Sequence, residues 1–405
     1  MSTADRYAHR KVNATIVLTD PQGKPLAGRP VTVQQRAHVF GFGCTAPDMG
    51  EEASETRELW TQLFDTATLA FYWGRYEPIQ GVTDRERVMH SAHWLANRGV
   101  RLKGHPLVWH TVKAPWVDDL PLSDAEELLR GRIRREVSDF AGIVDSWDAI
   151  NEVVIMPDFV NEPDGIKNAI TRMCAKKGRV AMVALAVEEA RSQNPEAQLI
   201  LNDFDLGPRY ESLVEEVLAA GIKIDAIGLQ SHMHKGFRGE EQLNDICNRF
   251  ARFGLPLHWT ETTILSGDLM PSDIEDLNDY VVADWPSTAE GEARQAEEIV
   301  RHYSTLVAHP AVESITYWGF DDGGAWLGAP VGFLREDGTQ KPSYSALRDL
   351  IRGEWWLDSA ELVTDSEGRI FFDAFAGSFD VILGESHVTV DLPAGPAQVE
   401  MMFPS

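Results

Sequence analysis

The sequence predicts an α/β protein built as a (β/α)8 TIM barrel, with a small accessory β-sandwich formed by its two terminal segments. Three observations favour this fold class. From about residue 51 to residue 352, short apolar runs that end in polar residues alternate with amphipathic helical stretches, which is the pattern of βα units. Eight such apolar runs are present, the number that closes a barrel. Segments rich in β-branched and aromatic residues lie on either side.

The N-terminal segment, residues 1–37, is predicted to be β. The run ATIVLTD, the Gly- and Pro-rich turn PQGKPLAGRP and the alternating run VTVQQRAHVFGF follow one another. We therefore expect a hairpin-like unit that forms one part of the sandwich. Chain termini usually lie close together, so this unit should meet the C-terminal segment.

The barrel is predicted to span residues 38–352. Its candidate strands are HVFGFG (38–43), ATLAFYW (67–73), VRLKGHPLVW (100–109), VDSWDAINE (144–152), AQLILNDFD (197–205), DAIGLQSH (225–232), LPLHWTETT (255–263) and ESITYWGF (313–320). Stretches with apolar residues three and four positions apart separate them, such as SDAEELLRGRIRREVSDF, and these predict helices. A last helix should finish with residues 344–351.

Residues 353–405 are predicted to complete the sandwich. Three candidate strands, RIFFDAF, FDVILGE and SHVTVDLP, are separated by turns that contain Gly, Ser or Pro. Their aromatic and β-branched content argues against a disordered tail. We expect the terminal β segments to act as a structural lid or interface, with a carbohydrate-binding module as the alternative.

The charge balance excludes several classes of partner. The chain has 37 basic and 63 acidic residues, a formal charge of −26, so nucleic acid and anionic membranes are poor partners. No stretch approaches the run of about 20 apolar residues that a membrane span requires. A neutral, hydroxyl-rich substrate fits this composition better, whereas the oligomeric state has no signature in the sequence.

Neither a metal nor a cofactor is expected. Cys44, Cys174 and Cys247 are widely spaced and odd in number, which argues against a disulfide framework and a zinc site. His232 and His234 share a face of a predicted strand, but no third ligand lies at a useful spacing. The polar start, MSTADRYAHRKV, lacks the apolar core of a signal peptide, so we expect a cytoplasmic protein; a secreted chain trimmed of its signal would read the same.

Two glutamates at predicted strand ends are the strongest indication of chemistry. Glu152 closes the apolar run that contains WDAINE, and Glu261 closes the run LPLHWTE. The C-terminal ends of the strands of a (β/α)8 barrel carry the active site. A single Glu there is more often a solvated strand end. Two carboxylates on two strand ends, however, are the equipment needed to cleave a glycosidic bond with an acid and a nucleophile.

Side chains suited to a sugar accompany the two glutamates at the strand ends. They are His105, Trp109, Asn151, Gln230, His232, Trp318 and Trp326. Indole faces stack on the apolar faces of sugar rings, and amides bond to ring hydroxyls. Singly, a histidine or tryptophan is more often a core residue. Glu152 must stay protonated and Glu261 ionised, a balance that His232 could hold through a hydrogen bond to Glu261.

These motifs resemble glycoside hydrolase family 10, the retaining β-xylanases built on a (β/α)8 barrel. The resemblance runs from about residue 40 to residue 344 through GHPLVWH (104–110), WDAINE (147–152), LND (201–203), IGLQSHMH (227–234), TE (260–261), WGFDDGGAW (318–326) and KPSY (341–344). It implies that Glu152 is the acid/base and Glu261 the nucleophile, with the seven accompanying side chains around the glycone. It also implies carboxylates about 5 to 5.5 Å apart.

The chain departs from the family pattern in two places. On the second strand the family usually carries a Glu-Asn pair and then a Lys ahead of a Trp, whereas this chain reads TLAFYWGRYEP. The Lys position falls on Tyr72, which with Phe71 should present an aromatic surface to the glycone. Beside the nucleophile, Thr263 replaces an Asp that partners the histidine corresponding to His232. We therefore expect weaker anionic support for His232.

These observations predict a retaining glycoside hydrolase that cleaves β-1,4 linkages in xylan or xylo-oligosaccharides. One alternative is the same mechanism on another β-glycoside, such as a β-glucoside, a β-galactoside or a decorated plant glycoside. The other is a catalytically silent barrel that binds sugar. The presence of glutamates on two separate strands argues against the silent barrel.

Overall fold

A computed structural model describes residues 6–47, 55–160 and 165–404 and contains a closed barrel of parallel strands. In chain order the strands are β1 (Lys11–Thr19), β2 (Pro30–His38), β3 (Gly41–Thr45), β4 (Thr66–Ala70), β5 (Arg101–His105), β6 (Ser146–Asn151), β7 (Gln198–Asp203), β8 (Ala226–Met233), β9 (Leu257–Ile264), β10 (Val312–Tyr317), β11 (Ala360–Val363), β12 (Arg369–Phe375), β13 (Gly377–Leu383), β14 (Ser386–Leu392) and β15 (Gly395–Met402). The α-helices are α1 (Glu55–Leu63), α2 (Trp73–Tyr76), α3 (Arg85–Ala96), α4 (Leu122–Asp139), α5 (Ala169–Lys177), α6 (Arg179–Gln193), α7 (Pro208–Ala219), α8 (Glu240–Ala251), α9 (Ala289–Val307) and α10 (Pro342–Asp349).

Strands β3 to β10 follow one another around the barrel, and β10 pairs with β3 to close it. The predicted fold class and the eight predicted barrel strands are therefore confirmed. The short helices α2 and α5 are additions that the sequence pattern did not predict. Within the described part of the chain, no helix is both long and apolar enough to cross a membrane.

The neighbouring strands β5 and β6 are locked together by one close contact. Trp147 on β6 is fully buried and lies against Gly104 of β5. A Cβ atom at position 104 would lie 2.2 Å from the Trp147 ring, so only glycine fits there. The contact fixes the relative positions of the two strands. It thereby sets the spacing between His105, which ends β5, and Glu152, which follows β6.

The two terminal segments form two sheets with a common core, which confirms the predicted accessory β-sandwich. The sheets have the strand orders β12-β1-β15 and β11-β2-β13-β14. Buried side chains from both sheets, including Val12, Ile16, Val33 and Phe379, belong to one hydrophobic cluster. Alternation of apolar and polar residues along β1 directs one face of the strand into this core.

The hairpin-like N-terminal unit is the part of the prediction that is wrong. Strand β1 pairs with β12 and β15, whereas β2 pairs with β11 and β13 in the other sheet. Alternating apolar residues predict which face of a strand is buried, but they do not choose its partner. Strand β15 escapes the sequence analysis because it begins with Gly395 and Pro396, which are typical of a turn.

The sandwich packs against the N-terminal ends of the barrel strands. Arg10 on its N-terminal side donates hydrogen bonds to the carbonyl oxygens of Val307, His309 and Val312, the last of which begins β10. Arg101, the first residue of β5, donates to the carbonyl oxygen of Val39 at 3.0 Å. The catalytic end of a (β/α)8 barrel is the opposite end. A lid over the strand ends that carry Glu152 and Glu261 is therefore ruled out, and the sandwich covers the base of the barrel.

Candidate active site

The turn that follows β6 holds Glu152 in an unusual backbone conformation. Its φ angle is +55°, a left-handed value that is uncommon for a residue other than glycine. The Glu152 N–H donates to the carbonyl oxygen of Asn202 at 2.8 Å, and the Val154 N–H donates to the Asp203 carboxylate at 3.0 Å. These hydrogen bonds to β7 hold the strained turn. They therefore fix the backbone position from which the Glu152 side chain extends at the end of the strand.

Three donors surround the carboxyl group of Glu152. Trp109 Nε1 donates to Oε2 at 2.8 Å, while Asn151 Nδ2 and Gln230 Nε2 donate to Oε1 at 3.1 and 3.2 Å. Burial, and then the negative charge of Glu261, raise the pKa of Glu152 to about 8 in spite of these bonds. Glu152 is therefore protonated at neutral pH and suited to donate a proton.

Glu261 has the opposite electrostatic setting. It lies on β9 and is 4% exposed. Asn202 Nδ2 donates to its Oε1 at 2.8 Å, and His232 Nε2 lies 3.1 Å from Oε2. Burial opposes its ionisation, but the nearby His105 and His232 outweigh burial and lower the pKa of Glu261 below its usual value. The environments thus drive the pKa values of the two carboxyls apart, which is how an acid and a nucleophile are distinguished.

A chain of amides connects the two carboxyl groups. The strand register places Asn202 beside Asn151 and Gln230 beside Glu261. Asn151 Oδ1 accepts hydrogen bonds from Asn202 Nδ2 at 2.7 Å and from Gln230 Nε2 at 3.1 Å. Each of these amides also donates to one of the two carboxyls. Glu152 and Glu261 therefore belong to a single hydrogen-bond network.

Asn202 is a functional residue that the sequence analysis left unassigned within the LND motif. Thr260 Oγ1 donates to its Oδ1 at 2.5 Å and so fixes the amide with its Nδ2 group toward Glu261. A Cβ atom on the neighbouring Gly228 would lie 2.4 Å from Asn202 Oδ1, so that glycine makes room for the amide. Its position at the end of an apolar strand was the only available signal in the sequence.

We expect Asn202→Ala to lower kcat/KM by about 100-fold, because a donor to Glu261 and a link in the network are lost. Loss of a hydrogen bond to an ionised carboxylate raises its pKa. The acid limb of the pH profile, where Glu261 becomes protonated, should therefore move to higher pH. A pH profile of kcat/KM measures both effects. Asn97→Ala, on the exposed turn after α3, serves as the control, and an unmoved acid limb in Asn202→Ala would show that the amide does not support the charge on Glu261.

A buried ion cluster fixes His105. His105 Nδ1 and Lys103 Nζ both lie 2.7 Å from Asp148 Oδ2. Burial alone would raise the pKa of Asp148, but the cationic Lys103 and the bond from His105 lower it. The ionised Asp148 carboxylate holds the His105 ring through Nδ1, so the other ring nitrogen, Nε2, is available to the site. Asp148 lies inside the WDAINE motif, yet nothing in the sequence assigned it this role.

Six ring-bearing residues form what we call the aromatic wall around the carboxyls. They are Tyr72, His105, Trp109, His232, Trp318 and Trp326. The Tyr72 ring lies 5.6 Å from the rings of both His105 and Trp109, and Trp318 lies 5.0 Å from His105. On the other side, the rings of His232 and Trp326 are 5.0 Å apart. The structure thus brings together all ten residues that the sequence assigned to the site.

Tyr72 occupies the place where the sequence departs from the family pattern. Its ring packs in the aromatic wall, and its hydroxyl has no hydrogen-bond partner among the residues described. Burial and then the negative charge of Glu261 raise the pKa of its phenol, with a smaller contribution from Glu152. The hydroxyl is therefore a neutral group that can bond to a sugar hydroxyl.

Thr263, the second departure, does contact His232. Thr263 Oγ1 lies 3.4 Å from His232 Nδ1 and accepts the N–H of Met233 at 3.2 Å. When the Thr263 hydroxyl donates to Nδ1, His232 is in the tautomer whose Nε2–H donates to Glu261. A neutral hydroxyl thus orients His232 where the family pattern has a carboxylate.

The loop after β10 carries Trp326 to the rim, where it is 39% exposed. An ion pair anchors this loop, since Lys341 Nζ lies 2.7 Å from Asp322 and also donates to Ser266 Oγ at 2.8 Å. Lys341 of the KPSY motif is therefore a support and not a ligand. Among the residues described, no group of three or more metal-binding side chains is present.

Comparison with known proteins gives a family match and distant relatives. A family model described as glycosyl hydrolase family 10 matches residues 32–350, more than half of the 405 residues. An endo-1,4-beta-xylanase/feruloyl esterase from Xylanibacter ruminicola is 26% identical over 317 residues, which cover 71% of this chain and 42% of the relative. An anti-sigma-I factor from Acetivibrio thermocellus is 21% identical over 409 residues, which cover 97% of this chain and 48% of that protein. The chain thus spans less than half the length of these curated relatives.

Solved structures show the same barrel. The structure of GH10 from Paenibacillus barcinonensis has a TM-score of 0.65 at 23% identity, and covers 77% of this chain and 95% of that chain. Native xylanase 10B from Thermotoga maritima has a TM-score of 0.62 at 20% identity, and covers 78% of this chain and 96% of that chain. At these identities the likeness establishes the fold, and the chemistry has to be argued from the residues of the site.

Proposed function

This chain belongs to glycosyl hydrolase family 10, and from that premise we propose that it is a retaining hydrolase of β-1,4 linkages in xylan or xylo-oligosaccharides. The observation that carries the proposal is the pair of carboxyls with opposed pKa shifts, raised for Glu152 and lowered for Glu261. A relative that aligns over 71% of this chain is named an endo-1,4-beta-xylanase/feruloyl esterase, which supports the choice of substrate.

In the first step, Glu261 attacks the anomeric carbon of the bound sugar. The bond to the leaving oxygen breaks, and the proton of Glu152 passes to that oxygen, so the leaving sugar departs as an alcohol. Asn202 and His232 keep Glu261 ionised and oriented for this attack. The product is a glycosyl ester on Glu261, for which the carboxyls need to be about 5 to 5.5 Å apart.

In the second step, water replaces Glu261 at the anomeric carbon. Once Glu261 is esterified its negative charge is gone, which removes one of the causes that raise the pKa of Glu152. Glu152 then accepts a proton from the attacking water, and Glu261 leaves as a carboxylate. Two inversions at the anomeric carbon give net retention.

The remaining side chains hold the sugar. The indoles of Trp318 and Trp326 offer apolar faces to a pyranose ring, and the amide of Asn151 can bond to its 2-hydroxyl. His105, fixed by Asp148, presents a ring nitrogen to the same sugar. Trp109 and Gln230 act on the substrate mainly through Glu152, because both donate to that carboxyl.

Two observations each favour an alternative function. Tyr72 in place of an amide and a lysine favours a different β-glycoside, such as a β-glucoside, a β-galactoside or a decorated plant glycoside, because the polar grip on the glycone has changed. An alignment with a protein named an anti-sigma-I factor covers 97% of this chain, so a role other than hydrolysis, in which the barrel binds sugar without cleaving it, is the other candidate.

Product analysis on β-linked oligosaccharides of increasing length separates these candidates. The proposal expects xylobiose and xylotriose from longer xylo-oligosaccharides, and little release from cello-oligosaccharides. Faster cleavage of another β-glycoside would show that this compound, and not xylan, is the substrate of the same mechanism. Binding of xylo-oligosaccharides by calorimetry without product after long incubation would establish the silent barrel instead.

A further inference from the structure

The short helix α2 presents one arginine at the edge of the site. Trp73 and Tyr76 are buried, whereas Arg75 is exposed. The helix is held tightly: the Gly74 N–H donates to the Val112 carbonyl oxygen at 2.7 Å, and a Cβ atom on Gly74 would lie 2.5 Å from the Lys113 carbonyl oxygen. The backbone of Arg75 is therefore held in place, and its side chain extends from a rigid turn.

The guanidinium of Arg75 lies over the aromatic wall. Its Cζ atom is 5.6 Å from the centre of the Tyr72 ring, within the range of a cation–π contact. Its charge also lowers the pKa of the Tyr72 phenol, opposing the effects of burial and of Glu261. Because the Tyr72 ring contacts both His105 and Trp109, Arg75 lies at the outer edge of the aromatic wall.

Arg75 has no counter-charge within the part of the chain that the structure describes. Among residues 6–47, 55–160 and 165–404 it has no acidic partner, although the chain has 63 acidic and only 37 basic residues. The adjacent cation on the same rim, Lys113, differs, since its Nζ lies 2.7 Å from Asp118. A guanidinium with several free N–H donors, held against a ring, is suited to a planar carboxylate.

We propose that Arg75, with the Tyr72 hydroxyl beside it, forms a carboxylate subsite that recognises a uronic acid on a β-linked oligosaccharide. This inference rests on the proposed function for the identity of the sugar chain. The uronate carboxylate accepts hydrogen bonds from the guanidinium, while the adjoining sugar hydroxyl bonds to the phenol. The substrate is thus an acidic, glucuronic-acid-decorated oligosaccharide in preference to an unsubstituted one.

The test compares two ligands that differ in one group, which is a carboxylate in the first and an uncharged hydroxymethyl group in the second. One is a xylo-oligosaccharide with a single glucuronic acid side group, and the other is the same compound with the carboxyl reduced to an alcohol. Binding is measured by calorimetry on the full chain with Glu261→Gln, which prevents turnover. We expect the acidic ligand to bind about tenfold more tightly than the reduced one.

Arg75→Gln in the same protein should bring the two dissociation constants to within about twofold of each other, because the glutamine keeps hydrogen bonding but carries no charge. Arg98→Gln is the matched control, since Arg98 is also exposed and stacked on an aromatic ring, that of Trp94, and follows α3 at the other end of the barrel; it should keep the preference. Equal binding of the two ligands, no binding of either, or a preference that survives Arg75→Gln would overturn the inference.

A parallel assay distinguishes failure of the inference from failure of the proposed function. The unmodified protein is incubated with neutral xylohexaose, which needs no carboxylate subsite. Cleavage of xylohexaose without a charge preference in binding would support the proposed hydrolase and refute the carboxylate subsite. A charge preference in binding without cleavage of xylohexaose would support the carboxylate subsite and refute the proposed hydrolase.

Discussion

Glu261→Ala is expected to lower turnover of an activated aryl β-xyloside by about 10,000-fold or more, because it removes the carboxylate that we propose attacks the anomeric carbon. Added azide should restore product formation. It fits the space left by the carboxylate and attacks from the same side, so the product should be an α-glycosyl azide, of inverted configuration relative to the β-substrate. The measurements are the initial rate and the anomeric configuration of the azide product.

The control for this experiment is Glu367→Ala, which removes an exposed carboxylate from the sandwich. It should leave the rate unchanged and show that loss of activity is not general. Unaltered turnover in Glu261→Ala, or restoration by azide with a β-configured product, would remove Glu261 from the role of nucleophile.

Glu152→Gln is expected to slow the cleavage of xylo-oligosaccharides by about 1,000-fold, since their leaving oxygen needs a proton. An aryl xyloside with a good leaving group needs little protonation, so its first step should be much less affected. The pKa of Glu152 is raised to about 8, so the acid form predominates below pH 8 and is lost as the pH rises through that value. The unmodified enzyme should therefore lose activity above about pH 8, and the variant should lack this alkaline limb.

Comparison of kcat/KM on the two substrates over a range of pH provides this test. An equal loss on both substrates, or an alkaline limb that persists unchanged in Glu152→Gln, would assign the limb and the proton to another group. We expect Glu261, whose pKa is lowered, to set the acid limb in both proteins, and this limb serves as an internal reference.

The sequence predicted the barrel strands well because each one is covered on both faces and reads as an apolar run that ends in a polar residue. It predicted five of the seven sandwich strands, missed β11 and β15, and did not predict how the strands pair. The alternation in β1 defines a buried face, whereas the choice of β12 and β15 as partners depends on contacts with residues more than 300 positions away. Periodicity within one segment carries no information about such contacts.

The residues of the site also divide into those that the sequence predicted and those that it did not. Glu152 and Glu261 were visible because each ends a strand, and the aromatic side chains because they recur at strand ends. The roles of Asn202 and Asp148 were not visible, because an amide or carboxylate acquires its function from partners on other strands. The left-handed φ of Glu152 was also hidden, since the bonds from β7 that hold it are formed only in the folded barrel.

The most direct test of the account is to trap the glycosyl ester on the enzyme. A 2-deoxy-2-fluoro xylobioside with an activated leaving group forms the ester and slows its hydrolysis, because fluorine destabilises the oxocarbenium-like transition state. Peptide mass spectrometry of the inactivated protein should then find the sugar on Glu261 alone. A label on a different residue, or an unlabelled protein that releases α-configured sugar from xylo-oligosaccharides, would contradict the double displacement.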